Sequence, residues 1–274
     1  MIKYSKIYNT GESHSDLRNK YNPDESILRK AQLRMLDMLL YIDKICKEQN
    51  IKYSLDSGNV LGAVRHKGFI PWDDDVDIIL ERKEYKRLCD YLLKNPHPQY
   101  KLQTPHTDKW YINHWNVLRD TKSVYIQDSY IHNLRKYRGL QIDIFPIENR
   151  TNYWGLRFIN ALHARNEKYL LGKINWFSKL LFNINYYFII PLVRVICIPF
   201  SKKNKYSYGY GLPWIDKRWN VEDLFPYKNI VFEGYNFCGP SNPDKYLKEQ
   251  YGNYMDLPSS EYRNHHKTII HIFD

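Results

Sequence analysis

The chain has 274 residues, of which 43% are hydrophobic and 26% charged, which excludes a disordered protein and allows a sizeable core. Lysine and arginine exceed the acidic residues by 41 to 30, which favours a phosphorylated substrate or an anionic membrane surface as partner. We find no zinc-finger spacing and no RNP-type aromatic motif, so we predict no nucleic-acid partner. A solvated basic surface without any partner remains the alternative.

The N-terminal segment, residues 1–22, is polar and has no apolar run. We expect it to be extended or poorly ordered, and we expect no secretory signal. The four cysteines are scattered and include no C-x-x-C pair, so neither a disulfide framework nor a metal knuckle is expected. These features predict a reducing, cytoplasmic location.

Helical and strand patterns alternate through residues 23–150. A helix capped by Asp24 should end near Gln49, and a strand that ends at Phe145 should be stopped by Pro146. The predicted elements are helix 24–49, strand 51–55, helix 59–66, strand 76–80, helix 81–93, and strands 101–103, 115–118, 124–126 and 140–145. This order predicts an α/β or α+β fold, with a mixed sheet flanked by helices.

Residues 151–205 form a predicted helical hairpin, whose second helix, about Trp176 to Phe200, is very apolar. It is nearly long enough to span a bilayer, but Arg194 within it is costly in lipid, so spanning is not expected. Basic flanks such as Lys179 and Lys203 favour a helix that lies on a membrane surface. A core hairpin that covers the sheet is the open alternative. Residues 206–274 are loop-rich, with a hairpin predicted around Glu233.

The run from Pro71 to Ile78 has four aspartates, at positions 73, 74, 75 and 77. Strand side chains alternate between faces, so Asp75 and Asp77 should point the same way. Two carboxylates this close repel each other unless a cation lies between them, and hard oxygen ligands suit Mg²⁺, with Mn²⁺ as an alternative. A solvated acidic turn would explain Asp73 and Asp74, but it explains Asp77 poorly, because aspartate is disfavoured inside strands.

A further aspartate, Asp143, lies inside the predicted strand before Pro146. It can supply a third carboxylate, either as a metal ligand or as the base that takes a proton from an attacking hydroxyl. A strand-end residue paired with a lysine is the alternative.

The run Asp56–His66 combines a small-residue turn with the start of a helix. Free N–H groups at a helix N-terminus suit an anion, so Ser57 and Gly58 are candidates to hold a phosphate. Arg65 and Lys67 follow at the far end of that helix and are further phosphate candidates.

The run Ser54–Ile78 strongly resembles the LicD family of phosphocholine transferases, to which the fukutin-related proteins are distantly similar. Further similarity lies at residues 117–120, 139–146, 232–235 and 245–258, so the resemblance spans about residues 30–266. It implies a nucleotidyltransferase-like catalytic core at 23–150, completed by 206–274. It also implies metal-binding carboxylates at Asp75 and Asp77, with Asp143 as the third acidic residue.

The resemblance further implies transfer of phosphocholine from CDP-choline to a hydroxyl of a cell-surface glycan, of lipopolysaccharide or teichoic-acid type, with release of CMP. Trp72 is a candidate to contact the base or the choline cation. His266 lies where the family often has a C-terminal histidine, so it is a candidate substrate contact. CDP-ribitol or CDP-glycerol are alternative donors. A non-catalytic basic module that binds a membrane surface is the alternative function from a different class. Peripheral contact with the cytoplasmic face of the membrane fits both hypotheses.

Overall fold

The structure is a computed structural model that describes residues 8–126, 130–149, 151–170, 176–201, 203–263 and 269–273. Its α-helices are α1 (His14–Tyr21), α2 (Ile27–Glu48), α3 (Ser57–Arg65), α4 (Arg82–Lys94), α5 (Tyr130–Leu134), α6 (Tyr153–Leu170), α7 (Trp176–Ile184), α8 (Ile190–Cys197), α9 (Val221–Leu224) and α10 (Pro243–Tyr251). Its strands are β1 (Ser54–Leu55), β2 (Asp77–Glu81), β3 (Tyr100–Gln103), β4 (Asn116–Asp120), β5 (Ser123–Ile126), β6 (Gln141–Asn149), β7 (Lys205–Tyr208), β8 (Arg218–Asn220), β9 (Lys228–Phe232), β10 (Tyr235–Gly239) and β11 (Ile269–Ile272).

The central sheet is mixed and has the order β1-β2-β6-β4-β3, with β7 pairing both β6 and β8. Its strands β2 and β6 are parallel, and its other pairs are antiparallel. Two smaller ladders, β9 with β10 and β5 with β11, lie outside it. The predicted fold class, a mixed sheet flanked by helices, is confirmed. The predicted division of the chain into four segments stays a prediction.

The long helix α2 packs an apolar stripe on the sheet, where Met35, Leu39 and Ile42 are fully buried. Its cap is Ser26, whose hydroxyl accepts the N–H of Arg29 at 3.1 Å, so the prediction of Asp24 as the cap is wrong. Serine is as good a cap as aspartate, and Ser26 directly precedes the first helical residue. The predicted end of this helix near Gln49 is confirmed.

Strand β6 does not stop at Pro146, as its composition predicts, but continues to Asn149. On one side β6 pairs with β4 up to Ile144 and with β7 from Ile147 onwards. Pro146 lies at the gap between these two partners, where the ladder needs no N–H donor from it. A proline at such a junction costs the sheet little.

The N-terminal segment contains a helix, so the prediction that it is extended or poorly ordered is wrong for residues 14–21. Ser13 and Asp16 form a reciprocal capping box at the start of α1. Leu17 is fully buried and packs with Tyr8 and Leu257. A two-residue cap and one apolar side chain are weak signals in a sequence, which is why this helix is easily missed.

Two helices lie where the helical hairpin is predicted: α6, and a second helix that runs continuously from Trp176 to Phe200, with a π-helical turn between α7 and α8. A Cβ added to Gly155 of α6 would lie 2.6 Å from the Cys197 sulfur, so a glycine is needed for this close approach. By length and composition alone, the Trp176–Phe200 helix is the one candidate span that the described part of the chain offers.

Candidate active site

Two aspartates lie opposite each other on the parallel strands β2 and β6. Asp77 is the first residue of β2, and its register partner is Asp143 of β6. The N–H of Asp143 donates to the carbonyl of Val76 at 2.8 Å, and the N–H of Asp77 donates to the side-chain oxygen of Asn59 at 2.6 Å. The sheet therefore brings together two predicted site residues that are far apart in the sequence.

Carboxylates crowd this part of the sheet. Burial raises the pKa of Asp77 well above its ordinary value, and the negative charges of Asp75 and Asp143 raise it further. Burial also raises the pKa of Asp73, with the charge of Asp75 as the next cause. Like charges this close are costly in a poorly solvated place unless a cation offsets them. The electrostatics of this site thus favour binding of a cation.

The third predicted metal ligand, Asp143, has protein partners at both carboxylate oxygens. Both oxygens of Asp143 already accept hydrogen bonds, from the ring N–H of Trp115 at 2.6 Å and from the amide of Gln141. Among the residues that the structure describes, no three histidine, cysteine or acidic side chains converge as a ready-made metal centre. Mg²⁺ needs only one or two protein carboxylates, because water and phosphate oxygens fill its other positions. One or two of the predicted carboxylates would therefore suffice for an ion that binds together with its substrate, and the metal site at Asp75, Asp77 and Asp143 stays a prediction.

The two preceding aspartates do not form a solvated turn. Asp74 is buried, and its carboxylate accepts the hydroxyl of Tyr125 at 2.8 Å. Asp73 is partly buried and lies against the start of α3, where a Cβ added to Gly58 would come within 2.8 Å of its Oδ2. The alternative of a solvated acidic turn is therefore wrong for both residues.

The turn from Asp56 to Gly58 opens α3 beside these carboxylates. Ser57 has a left-handed φ of +41°, and its N–H donates to the hydroxyl of Tyr246 at 3.3 Å. The N–H groups of the two residues after Gly58 both donate to the carbonyl of Asp56. As the second residue of α3, Gly58 has no acceptor for its N–H within that helix. A phosphate oxygen is the kind of group that such a helix start binds.

Asp56 is a further candidate site residue, one that the sequence did not single out. Its carboxylate is fully buried and accepts the hydroxyls of Tyr208, at 2.6 Å, and Tyr246. Burial raises the pKa of Asp56, and these hydroxyls oppose the increase. The Tyr208 hydroxyl also lies 3.1 Å from the hydroxyl of Ser57. An aspartate at a strand end before a helix is a usable signal, but its two partners lie 152 and 190 residues away.

Arg65 and Lys67 lie at the opposite end of α3 from Ser57, about 12 Å along a helix of this length. The guanidinium of Arg65 is buried and donates to the carbonyls of Tyr254, at 2.8 Å, and Asp256, at 3.1 Å. Burial lowers the pKa of Arg65 to about 10. Lys67 is exposed. The structure therefore does not bring these two residues to the Ser57 turn, and their contact with phosphate stays a prediction.

Comparisons with known proteins assign the sequence to one family. Residues 50–170 match the family model described as LicD/FKTN/FKRP, nucleotidyltransferase domain. The lipopolysaccharide cholinephosphotransferase LicD of Haemophilus influenzae is 30% identical over 261 residues, which cover 87% of this chain and 95% of that protein. This chain belongs to the LicD family. An uncharacterized protein of Rickettsia typhi is 44% identical over 52 residues, 19% of this chain and 17% of that protein. One of Rickettsia prowazekii is 45% identical over 49 residues, 18% of each chain.

One residue of the LicD resemblance outside the acidic run, Glu233, connects distant parts of the fold. Glu233 accepts both terminal nitrogens of Arg29, at 3.2 and 2.7 Å, and the N–H of Phe69 at 3.0 Å. It thereby ties the β9–β10 hairpin to α2 and to the loop after α3. This contact gives the match at residues 232–235 a structural role.

The remaining predicted LicD site residues have different surroundings. Trp72 packs edge-on against Tyr21, with a ring distance of 5.3 Å, and the guanidinium of Arg263 lies 5.4 Å from its ring centre. These protein contacts occupy much of the ring, so its contact with substrate stays a prediction. His266 lies outside the described residues. The predicted enzyme class, a transferase acting on phosphate groups, is confirmed by membership in the LicD family.

Proposed function

We propose that this chain transfers phosphocholine from CDP-choline to a hydroxyl of a lipopolysaccharide-type glycan, releases CMP, and depends on Mg²⁺. The Haemophilus influenzae relative, a lipopolysaccharide cholinephosphotransferase, supports the cargo and acceptor because the match covers most of both chains. The observation that carries the proposal is the register pairing of Asp77 with Asp143. This pairing supports a site in which a metal ligand and a base act side by side.

The proposed reaction is a displacement at phosphorus. The glycan oxygen forms a bond to the phosphorus of phosphocholine, and the bond from that phosphorus to the CMP oxygen breaks. CMP leaves with the electron pair of the broken bond, and the hydroxyl proton passes to a carboxylate oxygen of Asp143. Burial raises the pKa of Asp143, although Trp115 and nearby arginines oppose the increase, and a raised pKa brings a carboxylate closer to the range useful for a general base.

Other residues of the chain would position the donor. The N–H of Gly58 and the hydroxyl of Ser57 would hold phosphate oxygens at the start of α3. Asp75 and Asp77 would hold Mg²⁺, with Mn²⁺ as an alternative. When bound, the ion supplies positive charge that offsets the pyrophosphate and the leaving CMP. Without that charge, the carboxylates beside Asp77 would repel the donor.

The proposal includes a reducing, cytoplasmic location for the protein. All four cysteines are free thiols, and Cys46 and Cys89 are buried, where burial raises the pKa of both. Buried thiols of raised pKa behave as small apolar side chains. These features support the expected cytoplasmic location.

The experiment that tests the proposal measures CMP release by the purified protein. CDP-choline, CDP-ribitol and CDP-glycerol are each supplied with a lipopolysaccharide acceptor, with millimolar MgCl₂ or with EDTA. We expect CMP release from CDP-choline only with the metal, together with choline incorporation into the glycan. Preference for another donor would refute the proposed cargo, and full activity in EDTA would refute the metal dependence.

A further inference from the structure

The helix Trp176–Phe200 presents an apolar face to solvent. Exposed side chains recur at intervals of three or four residues, which is one face of a helix. They include Phe177, Leu180, Ile184, Phe188, Leu192 and Val195, which we call the apolar face. Phe188 is 70% exposed and Val195 is 66% exposed. Soluble proteins rarely expose a contiguous apolar patch of this extent without a partner.

Three polar side chains of the same helix, those of Ser178, Asn185 and Arg194, point inward. Arg194 donates to the buried carboxylate of Glu148 at 2.8 Å, and Ser178 and Asn185 are buried. This is the reverse of a surface helix of a water-soluble protein, which turns its polar residues outward. The cost of Arg194 in lipid, which argues against a spanning helix, therefore does not arise when only the apolar face meets the membrane.

The inward side contacts the rest of the protein along most of the helix. Near its start Phe182 packs with Ile112, and further along Ile190 packs with Ile159 and Tyr210. A helix packed in this way has one side available to lipid and cannot be surrounded by it. This geometry fits a helix that lies in the plane of a membrane interface.

The surroundings of the apolar face match an anionic bilayer. Residues 151–205 contain one acidic residue, Glu167, and eight basic ones besides Arg194, which is paired with Glu148, so this part of the chain is strongly positive. Trp154 and Trp176 are 70% and 77% exposed, Trp154 next to the Gly155 contact with α8 and Trp176 at the start of α7. Tryptophan prefers the headgroup level, and basic residues near a membrane surface are attracted to acidic lipids.

We propose that the Trp176–Phe200 helix docks this protein on the surface of an anionic lipid bilayer, with its apolar face in the headgroup region and the sheet outside the membrane. The partner is the lipid surface itself. The inference does not rest on the proposed reaction, because it uses none of the aspartates of the candidate active site.

The test is flotation of the full-length protein with vesicles of phosphatidylcholine alone or with 30% phosphatidylglycerol, in low salt and without nucleotide or metal. We expect flotation with the anionic vesicles, and weaker flotation with the neutral ones or in 0.5 M NaCl. The double variant Phe188→Glu/Leu192→Glu should bind at least about tenfold more weakly, because two exposed apolar side chains no longer enter the interface. Tyr262→Glu is the matched control, since Tyr262 is 59% exposed but far along the chain from this helix, and it should bind like the native protein.

Three results would overturn the inference. The first is absence of flotation, or equal binding by the double variant and the native protein. The second is retention on vesicles after a carbonate wash, which would indicate a spanning helix. The third is a dimer in lipid-free solution that the double variant converts to a monomer, with no flotation, which would assign the apolar face to a second copy. Asp77→Asn should float normally, so failure of the reaction and failure of docking are distinguishable.

Discussion

Asp77 and Asp143 face each other across the only parallel strand pair that the described residues form in the central sheet. Asp77 has a charged carboxylate as its neighbour, whereas Asp143 has hydrogen-bond donors. Asp77 is close to Asp75, whose charge raises its pKa, whereas Asp143 accepts hydrogen bonds from Trp115 and Gln141. This asymmetry predicts different roles, with Asp77 holding a cation and Asp143 accepting a proton.

The first prediction concerns Asp77→Asn. The variant should lose at least about 10³-fold in transfer rate, because one of two charges that hold the metal is gone. Its melting temperature without metal should equal or exceed that of the native protein, because a costly carboxylate repulsion has been removed. CMP release and thermal unfolding measure the two effects.

Asp90→Asn is the control for that substitution, since Asp90 pairs with Lys86 on the surface of α4. It should change neither activity nor stability noticeably. Normal turnover by Asp77→Asn would end the metal hypothesis.

The second prediction concerns Gly58→Ala. An added Cβ would lie 2.8 Å from Oδ2 of Asp73, so Asp73 or the turn must shift where a phosphate is expected to bind. We expect a loss of at least about tenfold in kcat/KM for the nucleotide donor, since small displacements at a reacting site are costly. Initial rates over a range of CDP-choline concentrations measure it.

Gly11→Ala separates that effect from general strain. Gly11 has a φ of +78° and nothing within 4 Å of an added Cβ, so alanine strains the backbone there without touching the acidic site. It should lose about 1 kcal/mol of stability and keep its activity. Equal activity of Gly58→Ala and the native protein would show that the turn does not hold substrate.

Local patterns predicted much of the fold and selected some residues of the candidate site. The apolar stripe of α2 and the glycine turn of the β9–β10 hairpin are set by neighbouring residues, so their positions follow from the sequence. The passage of β6 through Pro146 does not, because it depends on β4 and β7 leaving a gap at that residue. The amino-acid sequence alone does not show which strands pair in the sheet.

The same distinction applies to the candidate site. Asp75, Asp77 and Asp143 could be selected because aspartate is unusual beside or inside an apolar strand. The enclosure of Asp56 by Tyr208 and Tyr246 could not, because nothing nearby in the sequence indicates distant hydroxyl partners. The position of Arg65 also depends on a distant loop, whose carbonyls hold its guanidinium.

The third prediction concerns Trp115→Phe. It removes the N–H that donates to Asp143 at 2.6 Å but keeps an aromatic ring against Phe145. The pKa of Asp143 should rise, because this hydrogen bond favours the charged carboxylate. The acidic limb of the kcat/KM profile should therefore move to higher pH, with a rate loss of about tenfold at neutral pH.

Trp214→Phe is the control, because Trp214 packs on the same Phe145 ring at 5.1 Å and has no hydrogen bond to Asp143 within the described residues. Its pH profile should match that of the native protein. An unshifted acidic limb in Trp115→Phe would argue against Asp143 as the base.

The last prediction concerns the pH dependence of Glu148, which joins β6 to α4 through Arg82 and to α8 through Arg194. Burial alone would raise the pKa of Glu148, but the two guanidinium charges outweigh it and the pKa is lowered. Its ionic stabilisation is therefore complete above the unfolded pKa, near 4.3, and is lost as the pH falls through the lower folded value. Glu148→Gln should lose about 3 kcal/mol at pH 7, and much less at pH 3. Urea unfolding at pH 7 and at pH 3 measures the difference in stability.

The control, Asp24→Asn, removes an exposed partner of Arg18 and should lose under about 1 kcal/mol. A loss for Glu148→Gln that is the same at pH 3 and pH 7 would show that shape rather than charge holds α8 against the sheet.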